Sequence, residues 1–461
     1  MNTKIKSQES IIDGNLSKVL ISLSLPIMLN NFIQTLYNLA DAMWVGRIGE
    51  VEFAATSFVW PVIFLFMSIG LGFSIAGTSL LSQSIGANEE KLANQYANHL
   101  MLMSTLLSIF FAFLGYFLTD FIIKFMGADG QLFIHSTEYL RVSFLGFPFI
   151  FSYYVINAIL VSQGNTVIST VISGVSALIN IVLDPIFIFD VVPGIGIKGF
   201  GMGIRGAAIA TVISQAAMLV LGLFMLHKKS KKIRLNYKNF KFEGHISKNI
   251  IRIAIPSSVG MGGTAFGFVI LNSFIGSYGT PTLAAFGMIN RITDIISQTT
   301  AGIGSALTVI IGQNIGAGQL DRAKEAFKKA IVFVLQVTIL SSIVLFIFRN
   351  PVVNAFINTE SDSQVIDLAQ EYLNHNFIII PSLVIFNAFQ GLYQGAGRTE
   401  YSMFMEIFRL WMVRIPFILL FKYFTDLGSS GIWIAMTLSN VSVAVLGYII
   451  YKSERWIYSY K

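Results

Sequence analysis

The stretch Gln83-Ser84-Ile85-Gly86-Ala87 returns 230 residues on as Gln313-Asn314-Ile315-Gly316-Ala317. At the same offset Pro26 meets Pro256, Gly46 meets Gly276, Gly49 meets Gly279, and Ala54-Ala55 meets Ala284-Ala285. Asn157-Ala158 meets Asn387-Ala388, and a slip of one aligns Gln163-Gly164 with Gln394-Gly395. Chance does not hold one offset over so long a run of chain. The protein is an internal duplication, and its fold must be read as two copies of one unit.

Around these markers lie apolar stretches near 17–45, 53–82, 94–118, 137–161, 166–189, 203–227, 247–276, 282–312, 324–348, 368–393, 400–424 and 431–451. Each is long enough to cross a bilayer as a helix, which takes ~20 residues. None alternates apolar and polar residues, so barrel strands are excluded. The sequence predicts an all-α membrane protein with twelve transmembrane helices in two homologous six-helix bundles around a central cavity. The expected amino-terminal lobe is 1–227, a basic cytoplasmic linker is 228–247, and the carboxy-terminal lobe is 248–461. Six is even, so both halves start on one side, related by an axis along the membrane normal with the substrate path between them.

Composition agrees. The chain is 54% hydrophobic and 12% charged, with a mean hydropathy of +0.70. Soluble domains carry about 25% charged residues, so the bilayer must be the solvent. The absence of cysteine excludes disulfides, thiolate metal sites and cysteine nucleophiles. The net charge of +7 does not point to nucleic acid, because the densest basic run, His227 to Arg234, joins two apolar spans. That is the positive-inside signal. Lys91, Arg322, Lys324, Lys328, Lys329 and Arg398 fall on the same side. Glu360, Asp362 and Asp367 fall on the other. Both termini and the linker are therefore expected in the cytoplasm, with no cleaved signal peptide. The expected setting is the plasma (inner) membrane of a prokaryote, as a monomer.

An ionisable group at membrane depth is a functional-site candidate by default. Most acids lie in loops or at helix ends; Asp41, Asp184, Asp294 and Glu406 do not. Spans 1 and 5 both run outward, and both carboxyls come out roughly 8–9 Å below the outer surface. Thr211 on span 6 falls near the same level. Tyr37 and Asn180 each stand one turn before an acid, on its face. Pro185 cannot donate to the carbonyl of Ile181, which leaves one more acceptor there. Such oxygens can hold a sodium ion or share a proton, so Tyr37, Asp41, Asn180, Asp184 and Thr211 are the candidate coupling site, with sodium at Asp41, Asn180 and Asp184. Arg291 with Asp294, and Glu406 with Arg409, are spaced i, i+3 and read as neutralised pairs. Arg414 has no partner in its own helix. Arg291, Asp294 and Arg414 are also the candidates for a substrate cavity.

Other chemistry lacks its residues. No G-x-x-x-x-G-K-[ST] is present to cradle ATP. Gly194-Ile195-Gly196-Ile197-Lys198-Gly199 fits G-x-G-x-x-G but follows no strand, and reads as a turn. The five histidines have no metal-binding spacing. No cofactor and no enzyme activity are expected.

Twelve spans in two homologous halves, the paired Gln-x-Ile-Gly-Ala loops, and Asn180 to Pro185 followed by Gly206-Ala207-Ala208-Ile209-Ala210-Thr211 resemble the multidrug and toxic compound extrusion (MATE) family over essentially the whole chain. The cluster Tyr37, Asp41, Asn180, Asp184, Thr211 is similar to the amino-lobe cation site of its DinF-like and related prokaryotic branches. The resemblance implies export of organic cations and other drugs or metabolites against an inward flow of protons or sodium. NorM-like members carry an acid on the seventh helix, and Pro256 to Asn272 has none. Some relatives bend the first helix, a bend that Pro26 permits. The alternative within the superfamily is a flippase for a lipid or lipid-linked sugar. Arg291, Arg409 and Arg414 favour it, while twelve spans and an acidic amino half favour the antiporter. A membrane enzyme or receptor would lack any catalytic constellation.

Overall fold

The computed structural model describes residues 9–230, 233–238, 240–348 and 363–457. After a short helix, Glu9–Asp13, twelve long helices follow. They are α1 Leu16–Gly46, α2 Glu50–Gly86, α3 Glu90–Phe125, α4 Gly130–Ser162, α5 Thr166–Ile188 and α6 Gly203–Lys229. The second set is α7 Gly244–Gly276, α8 Thr280–Gly316, α9 Leu320–Ile347 and α10 Ser363–Gly395. It ends with a composite α11 spanning residues 399–424 and α12 Ser430–Lys452. The twelve expected spans are all helices, and several run beyond the expected bounds. The third is 90–125 rather than 94–118, because Glu90 and Lys124 continue the backbone hydrogen bonding past the apolar stretch. Lys231 and Lys232 of the basic run, and Glu360 and Asp362 of the acidic loop, lie outside the described residues.

The duplication is visible in the backbone. α2 and α8 have 37 residues each, α4 and α10 33 each. The Gln-x-Ile-Gly-Ala turns close alike. Ala87 N donates to Gln83 O (2.9 Å) and Glu89 N to Ser84 O (2.9 Å); Ala317 N donates to Gln313 O (2.9 Å) and Gln319 N to Asn314 O (2.8 Å). The left-handed residues that follow these turns are Asn88 (φ 58°) and Gly318 (φ 74°), two places beyond Gly86 and Gly316. A helix is stopped by a left-handed residue just past its end, and asparagine tolerates that region almost as glycine does. The one-residue slip is also corrected. Gly164 (φ 80°) corresponds to Gly397 (φ 71°), since Asn165 N→Leu160 O and Arg398 N→Tyr393 O are the same closure.

The described chain forms two compact units, one of residues 29–258 and the other of 9–28 with 259–457. The divisions fall inside α1 and α7, two residues after Pro26 and Pro256, rather than in the basic linker. Within the first unit α4 is central and the most buried of its long helices. Phe66, Phe144 and Phe147 interlock there with ring centroids 5.1 to 5.9 Å apart. The linker is bound to α3 through its backbone, with Asn236 N donating to Asn98 Oδ1 (3.1 Å) and Glu243 N to His99 Nε2 (2.9 Å).

Within the second unit α10 takes the same role, as its most buried long helix. A Cβ on Gly304 would meet the Asn387 carbonyl at 2.6 Å. Close helix approach through small residues is how membrane helices gain dispersion contact without a hydrophobic drive. Tyr372 stacks on Trp433 at 4.3 Å.

Candidate functional site

Asp41, Asp184 and Thr211 each lie within about two turns of the end of α1, α5 or α6. One turn outward from each stands an apolar residue: Val45 after Asp41, Ile188 after Asp184, and Ala207 before Thr211 on the oppositely running α6. Val45, Ile188 and Ala207 pack as one small cluster, flanked by Trp44, Tyr139 and Phe189. Helical i, i+4 spacing stacks residues on one face, so an apolar layer over a polar layer follows from the packing of three helices. The segment after α5 seals its end: Phe200 N donates to Ile186 O (2.8 Å), Met202 N to Phe187 O (2.9 Å) and Gly201 N to Phe189 O (3.1 Å). These satisfy carbonyls that a helix end leaves open. The G-x-G-x-x-G stretch is part of this turn, closed by a bridge between Val191 and Lys198.

In the polar layer, Asp41 and Asp184 bring their carboxyls within interaction distance of each other. Asn180 Nδ2 donates to Thr211 Oγ1 (3.4 Å), and the Tyr37 hydroxyl lies beside Thr211. All five predicted residues therefore come together. Asn180 and Asp184 are fully buried. Among the described residues, Asp41 Oδ1, Asn180 Oδ1 and both Asp184 carboxyl oxygens are buried with no hydrogen-bond partner. Four acceptors without a donor are costly, and two buried carboxylates side by side repel. A hard monovalent cation or a shared proton removes both penalties at once. Among the described residues no group of three acids or histidines is placed to hold a metal ion.

Sequence reading missed Tyr139. From α4 it packs against the apolar layer of Val45, Ile188 and Ala207, close enough to feel the charge of both carboxylates. A search for charge at membrane depth does not find a tyrosine, and its spacing on α4 carries no signal.

The second unit has its own charged cluster. Glu406 and Arg409 pair at 3.2 Å, as the i, i+3 spacing predicts. Thr264 Oγ1 (2.9 Å) and Gln390 Nε2 (3.3 Å) donate to the same carboxylate, and the Arg409 guanidinium lies 5.0 Å from the centre of the Phe386 ring. Arg291 and Asp294 do not pair. Both are exposed on α8, and among the described residues neither forms an ion pair. Arg414 is 2% exposed and donates from Nε to Ser439 Oγ (3.0 Å).

Sequence reading also missed the backbone that places the arginines. Helix α11 is α-helical over Thr399–Ile407, becomes a π-helix over Phe408–Arg414, and resumes over Ile415–Phe424. Ile415 N donates to Leu410 O, an i→i+5 bond. Pro416 has no N–H to give, and its ring would press on the carbonyl four residues back; the wider turn relieves that crowding. Across the turn Trp411 Nε1 donates to Gly263 O (3.0 Å), and Trp411 stacks on Phe266.

A family model described as MatE matches residues 26–186 and again 256–420. The two matches begin at the paired prolines. The chain is 26% identical to the probable multidrug resistance protein YpnP of Bacillus subtilis (strain 168), covering 96% of each sequence. It is 25% identical to the FAD transporter of Shewanella oneidensis, covering 97% of this chain and 96% of that one. Its fold matches the crystal structure of a MATE protein in complex with MaL6, with a TM-score of 0.90 and 26% identity over 98% of each chain.

Proposed function

The chain belongs to the MatE family, and from that membership we propose that it is a secondary active exporter of small organic molecules, cations foremost, driven by protons or sodium ions returning through the site at Asp41 and Asp184. The observation that carries the coupling is the set of four buried acceptor oxygens on Asp41, Asn180 and Asp184 with no donor among the described residues. An exporter couples two gradients only if ion and cargo favour opposite states of one two-state machine. A proton or sodium ion offsets one of the two carboxylate charges, relieves their repulsion and lets Tyr37 and α1 repack against α5, and Pro26 gives α1 a point at which to bend. The setting is the plasma membrane of a prokaryote, with both termini cytoplasmic. Cysteines placed at Ser230 and Ser429 of this cysteine-free chain would then label from opposite sides.

The deciding experiment is reconstitution into vesicles with either a proton or a sodium gradient imposed. Export of ethidium under one gradient, lost in Asp184→Asn, supports the proposal and identifies the ion. Export that neither gradient drives sinks it.

A further inference from the structure

We infer that the carboxy unit contains an oxyanion-binding site anchored by Arg414 with Arg409 beside it, built to take a carboxylate or phosphate group. The inference deepens the transport reading and rests on it only for naming the ligand as cargo.

The starting observation is the isolation of a guanidinium. Arg414 is 2% exposed, has one hydrogen bond, and that bond goes to the neutral hydroxyl of Ser439. No carboxylate pairs with it among the described residues. A guanidinium offers five N–H donors in a planar fork that matches an oxyanion. A buried charge persists only when paired. The one acid in the cluster is already committed. Glu406 accepts from Gln390 at Oε1, and from Thr264 and Arg409 at Oε2. Even Arg409 is not fully served, since its Nε is buried with no partner. Two guanidiniums against one carboxylate leave a single positive charge inside a membrane-embedded lobe.

The π-helix gives the second, independent observation. In an α-helix residues five apart point in clearly different directions; the wider i→i+5 turn brings them onto neighbouring faces. Arg409 and Arg414 are five apart and both buried, with the π-helix running between them. Short π segments are uncommon and recur at functional sites. Here the segment turns two cations of one helix toward one interior.

The same oxyanion can arrive on a soluble cargo or on a lipid headgroup, so the test separates the two. The full-length protein, relipidated in phosphatidylcholine, is titrated with riboflavin and with riboflavin 5′-phosphate, which share one fluorescent ring and differ by the phosphate. The phosphate form is expected to bind on the order of tenfold tighter, the size of a charge-assisted contact. Arg414→Gln should bring it down to the riboflavin value and leave riboflavin unchanged, and Arg414→Lys should restore part of the preference. If phosphatidylglycerol displaces the phosphate probe from the wild type, the site takes a lipid phosphate; if it does not, a soluble anion is the source. Equal affinity of the two flavins in the wild type overturns the inference, even if Arg414→Gln fails to fold. So does a folded Arg414→Gln, judged by an unchanged melting temperature, that keeps the preference. Gradient-driven export of ethidium is scored separately, so its failure would remove the transport reading without touching this result.

Discussion

The fifth helix of each half carries a buried charge close to a proline, and the charges are opposite. In α5 Asp184 is followed at once by Pro185, the helix stays α-helical, and a second acid meets it from α1. In α11 Arg414 stands two residues before Pro416, the helix opens into a π segment, and no acid meets it. At the offset of 230 Tyr37 corresponds to Gly267 and Asp41 to Leu271; past Gly164 and Gly397, where the offset has grown to 233, Asn180 corresponds to Val413. A Cβ on Gly267 would lie against the Leu410 side chain. Where the first unit keeps a polar layer, the second has filled the matching positions with apolar packing and moved its charge elsewhere. Duplication conserved the helices and turns, because each copy must bury the same faces. It did not conserve the charges, because each buried charge needs only its own means of neutralisation.

The largest effect expected is on coupling in the first unit. Asp184→Asn is nearly isosteric and neutral, so it should insert normally yet lose gradient-driven export, and Asp41→Asn should behave likewise. Wild-type export rates in both would place the ion outside this unit and break the contrast between the lobes. Next comes Glu406→Gln. It strips Arg409 of its carboxylate and leaves a second uncompensated cation, at a cost of about 3–5 kcal/mol. Thermal unfolding in detergent should show the loss, and adding Arg409→Gln should recover most of it; no recovery would mean that the pair is not the reason for Glu406.

A smaller contrast concerns packing. Gly391→Ala should cost about 1–3 kcal/mol, because the new Cβ meets the Gly304 backbone, which cannot yield. Gly77→Ala should cost less, since its neighbours at 3.0 and 3.3 Å are the side chains of Ala158 and Leu100. Equal costs in melting experiments would remove the distinction between backbone and side-chain contact. The smallest effect should be that of Arg291→Gln, within about 0.5 kcal/mol, as Arg291 is exposed and unpaired with Asp294. A marked fall in yield would restore the structural pair that the sequence suggested.

The sequence by itself determined the membrane class, the twelve helices, the duplication and the identity of the five residues around Asp41 and Asp184. Those follow from local quantities, namely hydropathy along the chain, a fixed offset, and depth counted along a straight helix at a constant rise. Only the tertiary structure decided what depends on neighbours distant in the chain. Tyr139 lies beside the apolar layer that covers the acids because α4 packs there. Glu406 is held by Thr264 and Gln390 from two other helices. The i, i+3 rule succeeded for Glu406 and Arg409, which are enclosed, and failed for Arg291 and Asp294, which are not. Spacing makes a contact possible, and enclosure is what makes it form. The π segment marks the same limit. Pro416 announced a disturbance in α11, but whether the helix would kink, break or widen depended on Gly263, Phe266 and Gly267 of the facing helix, which leave Trp411 and Leu410 room to turn inward.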